Sequence, residues 1–443
     1  MKGFLKENKI LLIILIISFG ACLCYSLYFK IKPLVDARAY DVIALNIVKG
    51  NGYRENLKVD LAHDLGRIGP LYEYFLAGIY KIFGHNYIWV WFFQALLHAI
   101  SAWLIYKTSQ IIFSDSEKKR KISLLAAGFF GFYPDLIEIS AMLMTETLYL
   151  FLICLALYVF FLYFLRLKGY LAVLLGITAG LAVLARPPAL FLLPIMFFYP
   201  ISKRKFFHAG LFLAILFLVF LPWTIRNYEA YNAIMPFGAV GTLNFWIGNY
   251  HGASGEQISS SESPEIKKYV ETQQVKDISG ESIRQFKNFL REYPLEFVKL
   301  TALRINKYFS FIRPMGFWFY QQGFGQFMFI FSSALASVIL FISGFAGLIK
   351  SIKLKNKALY YLMALTVMTP LVIFITVVET RYRFQIYPLF AIFAGFFLAD
   401  LFGRQKCWTD KILWLTTIFL VLNCLIDFFL SIEKFRERMS LFL

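Results

Sequence analysis

About eleven long apolar stretches leave this chain few ways to fold. They run 10–29, 87–106, 122–134, 140–165, 170–185, 187–201, 206–223, 326–349, 358–377, 384–402 and 411–430. A straight helix needs about 20 apolar residues to cross a bilayer. Backbone in lipid must satisfy its own hydrogen bonds, so lipid-exposed segments form helices or closed barrels, and stretches of this length point to helices. The stretches 122–134, 170–185 and 187–201 are short enough to be partly re-entrant. The expectation is an all-α polytopic membrane protein, one transmembrane domain over 1–443 with about eleven transmembrane helices. Composition agrees: 59% of residues are hydrophobic, 16% are charged, and mean hydropathy is +0.63, against roughly half apolar and a quarter charged in soluble domains. The start, Lys2 to Lys9 and then 10–29, resembles a signal peptide. Its apolar run is too long and no small-residue cleavage site follows, so it reads as an uncleaved first span.

A net charge of +18 in a soluble protein would suggest a nucleic-acid partner. Here the basic residues sit in short loops between spans and set orientation instead. Lys2/Lys6/Lys9, Lys107 with Lys118–Lys121, Arg166/Lys168, Lys203–Lys205, Lys350/Lys353/Lys355/Lys357 and Arg404/Lys406/Lys411 fall on alternate loops. That makes their side cytoplasmic, with the N-terminus inside and the C-terminus outside, in a plasma (inner) membrane. Cys22, Cys24, Cys154 and Cys424 lie in spans and Cys407 in a basic loop; no disulfide framework or CxxC metal or redox pattern is present.

Both long loops, 30–86 and 224–325, fall on the outer side. In the first, 36–49 and 62–83 read as amphipathic helices, with Leu71, Phe75, Gly78, Ile79 and Ile82 on one face. In the second, Leu295, Val298, Ala302, Ile305 and Phe309 keep helical spacing with Arg304 and Lys307 opposite, an interfacial helix near 295–310 that Pro294 opens. Such helices lie in the bilayer interface, apolar face down. The stretch 250–285, rich in Ser254, Ser259–Ser261 and Ser263, reads as a mobile loop.

The polar clusters gather on this outer side. The first loop holds Asp36, Tyr40, Asp41, His63, Asp64 and Arg67. Asp36 directly follows a span and opens a helix, so it suits an N-cap and equally a base that takes a proton from a hydroxyl at the membrane face. Glu146 falls about two turns inside the fourth span, where a carboxylate is costly unless paired or facing a cavity. Arg186 ends the fifth span before Pro187-Pro188; its planar fork suits phosphate oxygens, or it snorkels to headgroups. Glu379, Arg381, Tyr382 and Arg383 form a dense cluster at another outer boundary, and Trp246 with Asn249 combines a ring face and an amide, as a sugar requires. No spaced carboxylate set requires a divalent metal, and no phosphate-binding glycine loop is present.

Taken in order, these residues resemble the GT-C superfamily of integral-membrane glycosyltransferases, over most of the chain. The nearest branch holds the protein O-mannosyltransferases and the lipid A aminoarabinose transferases. The likeness rests on Asp36 with Tyr40 and Asp41, Gly50–Tyr53, Arg67-Ile68-Gly69-Pro70-Leu71-Tyr72, Thr145-Glu146, Ala185-Arg186-Pro187, Pro222-Trp223 with Arg226-Asn227-Tyr228, Trp246–Asn249, and Arg381-Tyr382-Arg383. The third element departs from the family pattern: glycine replaces one proline and the basic residue is shifted by one. The resemblance implies a polyprenyl-phosphate sugar donor, hexosyl or pentosyl, lying in lipid with its phosphate at the outer interface. It further implies an acceptor hydroxyl on a glycan, lipid or protein, inversion at the anomeric carbon, no required cofactor, and Asp36 as base. The expected substrate-binding residues are Asp41, Tyr40, His63, Arg67, Glu146, Arg186, Trp246, Asn249, Arg381, Tyr382 and Arg383. Whether Asp41 shares the base's task stays open at this point.

Two other readings use the same arginines. A flippase or transporter of lipid-linked glycans requires polar residues through the midplane, where Asp427 with Asn423 stands alone in the sequence. A polymerase or ligase of such glycans would draw on outer histidines such as His63 and His251.

Overall fold

Apolar length and proline placement account for most of the helix boundaries. The computed structural model describes residues 2–67, 69–256, 263–313, 323–403, 410–433 and 436. Ile68, Ser259–Ser261, Arg404, Lys406 and Cys407, all used in the sequence reading, lie outside them. In chain order the helices are α1 Lys2–Phe29, α2 Asp36–Val48, α3 Leu71–Phe83, α4 Tyr87–Ile112, α5 Lys119–Gly131, α6 Pro134–Ser140, α7 Thr145–Arg166, α8 Gly169–Ala185, α9 Leu193–Ser202 and α10 Phe206–Tyr231. There follow α11 Ala239–Gly248, α12 Pro264–Thr272, α13 Val275–Glu292, α14 Pro294–Tyr308, α15 Gly323–Ile352, α16 Lys357–Met368, α17 Leu371–Ile375, α18 Tyr387–Leu401 and α19 Lys411–Leu430.

The protein is an integral membrane protein. Among the described residues eight helices are long and apolar enough to cross a bilayer, or nine if the pair α5 and α6, bent by 53°, is one span. The apolar helices Gly169–Ala185 and Pro187–Ser202 are shorter. Eleven spans are reached only if the bent pair and both short helices also cross; length and composition vouch for eight.

The spans pack in a row, α15 on α18, α18 on α5, α5 on α4, α4 on α7, α7 on α8 and α8 on α10, with α1 against α4. Gly395 shows how close the approach is: a Cβ there would overlap the Ile122 carbonyl of α5. Small residues serve this purpose in bilayers, where packing rather than apolar transfer holds helices together. The outward faces stay apolar, as Ile16, Phe217, Leu415 and Phe419 show by their exposure.

The loops depart from the periodicity reading in four places. Only Leu71–Phe83 of the expected 62–83 helix forms; Leu61–His63 is a single 3-10 turn. Its buried face carries Tyr72, Glu73, Leu76 and Tyr80, while Ile82 points outward. The polar stretch 250–285 contains α12 and most of α13, which close a small core of Leu243, Trp246, Ile247, Ile266, Ile278 and Val377. Helix α14, expected at the bilayer interface, turns Leu295 and Val298 outward, but Arg304 and Lys307 opposite them are buried in protein rather than solvated. Arg304 donates to the carbonyls of Gly248, Gly255 and Phe374 and to Asn249 Oδ1, and burial pushes its guanidinium down to about 10. Nor is Asp427 alone: Arg313 grips both its oxygens, at 2.6 and 2.7 Å, and Asn423 exchanges hydrogen bonds with Asn306.

Candidate active site

Asp36 is the first residue of α2, but its side chain caps nothing. The preceding Val35 has φ 48° and ψ −114°, a left-handed conformation that a β-branched residue adopts only under strain. The bend turns the carboxylate away from the helix and onto two arginines. Arg381 Nη2 lies 3.0 Å from Asp36 Oδ2, and Arg67 Nη1 lies 3.3 Å from Oδ1.

Each arginine is shared. Arg67 Nη2 also holds Glu55 Oε1 at 2.9 Å, and Arg381 Nε holds Glu379 Oε2 at 3.0 Å with Glu146 Oε1 at 4.0 Å. Glu146 pairs in turn with Arg186, which also donates to Thr145 Oγ1 at 3.3 Å. The result is a chain running Glu55, Arg67, Asp36, Arg381, Glu146, Arg186, with Glu379 as a branch. It sets four carboxylates against three guanidinium groups, one net negative charge. Tyr382 lies between Arg186 and Arg381, with their guanidinium carbons 5.3 and 5.5 Å from its ring centre.

Local sequence explains each placement. Pro187 forces Arg186 into extended backbone (φ −153°, ψ 122°) and ends α8 there. Thr380–Ile386 is a 3-10 segment. Its roughly three residues per turn send Arg381 and Arg383 to different sides. Glu146 sits in the first turn of α7, not two turns inside a span, because α6 is a separate helix before it. A helix N-terminus favours a carboxylate. Gly69, the departure from the family pattern, is required: a Cβ there would overlap the Leu184 carbonyl at the end of α8. That contact seats the first loop beside Arg186. Within the loop, Asp64 accepts from the amides of Glu55 at 3.0 Å and Gly66 at 3.2 Å, which brings Glu55 next to Arg67.

Burial pushes the Asp36 carboxyl up, but Arg381, Arg67 and Arg186 together outweigh it and hold it below its usual range. Glu73 goes the other way. It is fully buried in the first turn of α3, its Oε1 accepts from Tyr53 at 2.8 Å, and burial raises it to about 8. An apolar cavity of about 290 Å³ adjoins the network. Leu190, Phe191, Phe237, Phe245, Ile373 and Val377 line it, together with Arg186 and Tyr382, which also line the small void beside Arg381 and Glu146.

The structure thus brings Asp36, Arg67, Glu146, Arg186, Arg381 and Tyr382 together, with Tyr40 buried one turn along α2. Five other candidates sit elsewhere. Asp41 is five residues on, on another side of the helix, and takes hydrogen bonds from Tyr80 at 2.6 Å, Tyr87 at 2.9 Å and His85 at 2.9 Å. His63 lies 3.7 Å from Asp60. Trp246 is buried edge-on to Tyr269, which leaves no face for a sugar. Asn249 bridges Arg304 to the Phe245 and Ile375 carbonyls. Arg383 is buried on the carbonyls of Ser310 and Arg313. Two acids escaped the sequence reading. Glu55 gives no signal in a polar loop, whereas Glu73 is visible in hindsight on the stripe of Tyr72, Leu76 and Tyr80.

Residues 68–225 match the family model described as dolichyl-phosphate-mannose-protein mannosyltransferase. An uncharacterized protein of Aquifex aeolicus (strain VF5) is 34% identical over 133 residues, 29% of this chain and 26% of that protein. The Archaeoglobus fulgidus oligosaccharyltransferase, in complex with Zn and sulfate, superposes with a TM-score of 0.51 at 16% identity, over 94% of this chain and 51% of that one. ArnT from Cupriavidus metallidurans, bound to undecaprenyl phosphate, gives 0.51 at 13% identity, over 90% and 61%. The chain therefore spans about half to three fifths of these solved structures and a quarter of the Aquifex protein.

Proposed function

We propose that the chain is a glycosyltransferase of the GT-C type that moves a sugar from a polyprenyl-phosphate donor to an acceptor hydroxyl at the outer membrane face. The matched family model and the fold shared with the two solved structures support the resemblance to that superfamily, in the branch of the O-mannosyltransferases and ArnT. One observation supports this above the others: a base-capable carboxylate, Asp36, shares a continuous ion-pair network with Arg186, and Arg186 borders an apolar cavity. The first isoprene units of the donor occupy the cavity, and its phosphate lies on Arg186 and Arg381. The acceptor oxygen attacks the anomeric carbon from the opposite side while its proton passes to Asp36. The bond from that carbon to the phosphate oxygen breaks, the phosphate keeps the electron pair, and the arginines stabilise the growing charge. The anomeric centre inverts. Donor chemistry of this kind fits a neighbour solved with undecaprenyl phosphate. The alternation of basic loops supports a cytoplasmic N-terminus and an outer reacting face.

The test is direct. Purified protein in liposomes with a membrane-extract acceptor is given radiolabelled polyprenyl-phosphate sugars one at a time. One donor should be consumed, with free polyprenyl phosphate appearing on thin-layer chromatography. If none is consumed, the transferase reading is wrong.

The strain at Val35 gives a second expectation. Glycine accepts φ > 0 freely, at some entropic loss in the unfolded chain, and a strained residue costs about 1–3 kcal/mol. Val35→Gly should therefore stabilise the protein by roughly 1 kcal/mol while loosening Asp36 and lowering kcat about threefold. Thermal unfolding and kcat on one preparation check both; a less stable variant would show that the bend is not strained.

A further inference from the structure

The network contains more carboxylate than the arginines can serve. Arg381 is the ion partner of Asp36, Glu379 and Glu146, and Arg67 is divided between Asp36 and Glu55. Both oxygens of Asp36 therefore face guanidinium groups, at 3.0 and 3.3 Å. A carboxylate so held is a weak proton acceptor, because protonation must sever charge-assisted hydrogen bonds. A phosphodiester added to a site with one net negative charge must also displace a carboxylate to reach an arginine. These two difficulties resolve each other. Resting on the transferase reading above, we propose that Asp36 is masked by Arg381 and Arg67 in the empty site, that the donor phosphate unmasks it by taking Arg381, and that Glu55 is a positioning residue that then draws Arg67 aside.

The geometry supplies each element of this exchange. Arg67 reaches Asp36 and Glu55 with different nitrogens, Nη1 at 3.3 Å and Nη2 at 2.9 Å, so the shorter contact already belongs to Glu55. All three side chains are partly exposed, between 26% and 37%, so a small rotation needs no repacking. Glu379 holds Arg381 through Nε, so Nη2, now on Asp36, can pass to the phosphate while that contact is kept. Arg186, bordering the cavity, is already neutralised by Glu146 and cannot by itself attract an anion strongly. Arg381, Arg67 and Arg186 act on Asp36 directly, and its partners are in turn met by Glu55 from the first loop, Glu73 from α3, Glu146 from α7, Glu379 and Tyr382 from the 3-10 segment and Tyr40 on its own helix. A base masked until the donor arrives would also spare the enzyme futile chemistry with water.

The experiment has two arms. In the first, binding of farnesyl phosphate to the full-length protein is measured for wild type and Asp36→Asn. Removing a competitor for Arg381 should tighten binding five- to twentyfold; equal or weaker binding overturns the unmasking. This arm requires no sugar transfer, so it stands apart from failure of the transferase reading. In the second, pH profiles of kcat/KM, which follow the groups of the enzyme before the donor binds, are compared. Activity requires ionised Asp36 and falls on the acid side of its pKa. Arg67→Gln removes one cation and should move the acid limb up by about one pH unit. Glu55→Gln leaves Arg67 wholly on Asp36, so the limb should move down by about one unit and the plateau should fall roughly three- to tenfold. In the double variant the Glu55 substitution should add nothing. An unshifted limb in Glu55→Gln, or an effect that persists without Arg67, overturns the role of Glu55.

Discussion

Asp36→Asn is expected to lower kcat roughly 100- to 1,000-fold in a protein that remains folded. The size follows from the role: a positioned general base contributes about 10²–10⁴-fold, and the amide keeps the shape without the proton affinity. The intact fold follows from the network. Arg381 keeps Glu379 at 3.0 Å and Arg67 keeps Glu55 at 2.9 Å, so neither cation is stranded when Asp36 loses its charge. Glu146 provides the contrast. Its partner Arg186 is buried, so Glu146→Gln leaves an uncompensated buried charge, a loss of about 3–5 kcal/mol. Activity lost in that variant would say little about chemistry. Turnover by Asp36→Asn within threefold of wild type would eliminate the base role, and a collapsed thermal midpoint would show that the carboxylate is structural.

How far the sequence discloses this site depends on the residue. The apolar runs announced helices because a bilayer tolerates little else, and the prolines at 187, 294 and 388 mark where helices stop or start. Asp36, Arg186 and Arg381 were legible because a charge at the end of an apolar run is expensive unless employed. That they meet was not legible from spacing, since they lie far apart along the chain and are joined by helix packing. Periodicity also failed at the polar faces. It located an apolar stripe on α14 and put Arg304 opposite, but a polar face can meet water or protein, and here it meets three backbone carbonyls. Trp246 and Asn249 fail for the same reason: ring and amide suit a sugar, but equally suit the small core and cross-links of the loop 224–325. Asp41 looked like a partner of Asp36 because the two are neighbours in sequence, yet five residues of helix turn it onto Tyr80, His85 and Tyr87.

The second large effect is one of stability, and it falls on Glu73. Replacing it with glutamine should stabilise the protein at alkaline pH by several kcal/mol and leave it almost unchanged near pH 5. Burial raises the folded-state carboxyl from an ordinary 4.5 to about 8, with Tyr53 donating at 2.8 Å to one oxygen and the other oxygen lacking a partner. Between those two pH values the folded state holds a proton that the unfolded state has released. Stability is then fully present below about pH 4.5 and drains away as pH rises towards 8. At about 1.4 kcal/mol per unit, the loss across the window is of order 5 kcal/mol. Glutamine has no proton to lose, and its carbonyl still accepts from Tyr53, so its curve should stay flat where the wild type falls. Thermal midpoints of both proteins in detergent at pH 5, 6.5 and 8.5 read this out. A gap that opens steadily with pH is the expected pattern; parallel curves would mean that Glu73 is ionised in the folded protein. The buried Tyr53 makes the consequence local to the site. Arg226 donates to its carbonyl at 2.6 Å and lies 5.2 Å from its ring centre. A charge forming on Glu73 is therefore felt first at Tyr53, in the same loop that carries Glu55.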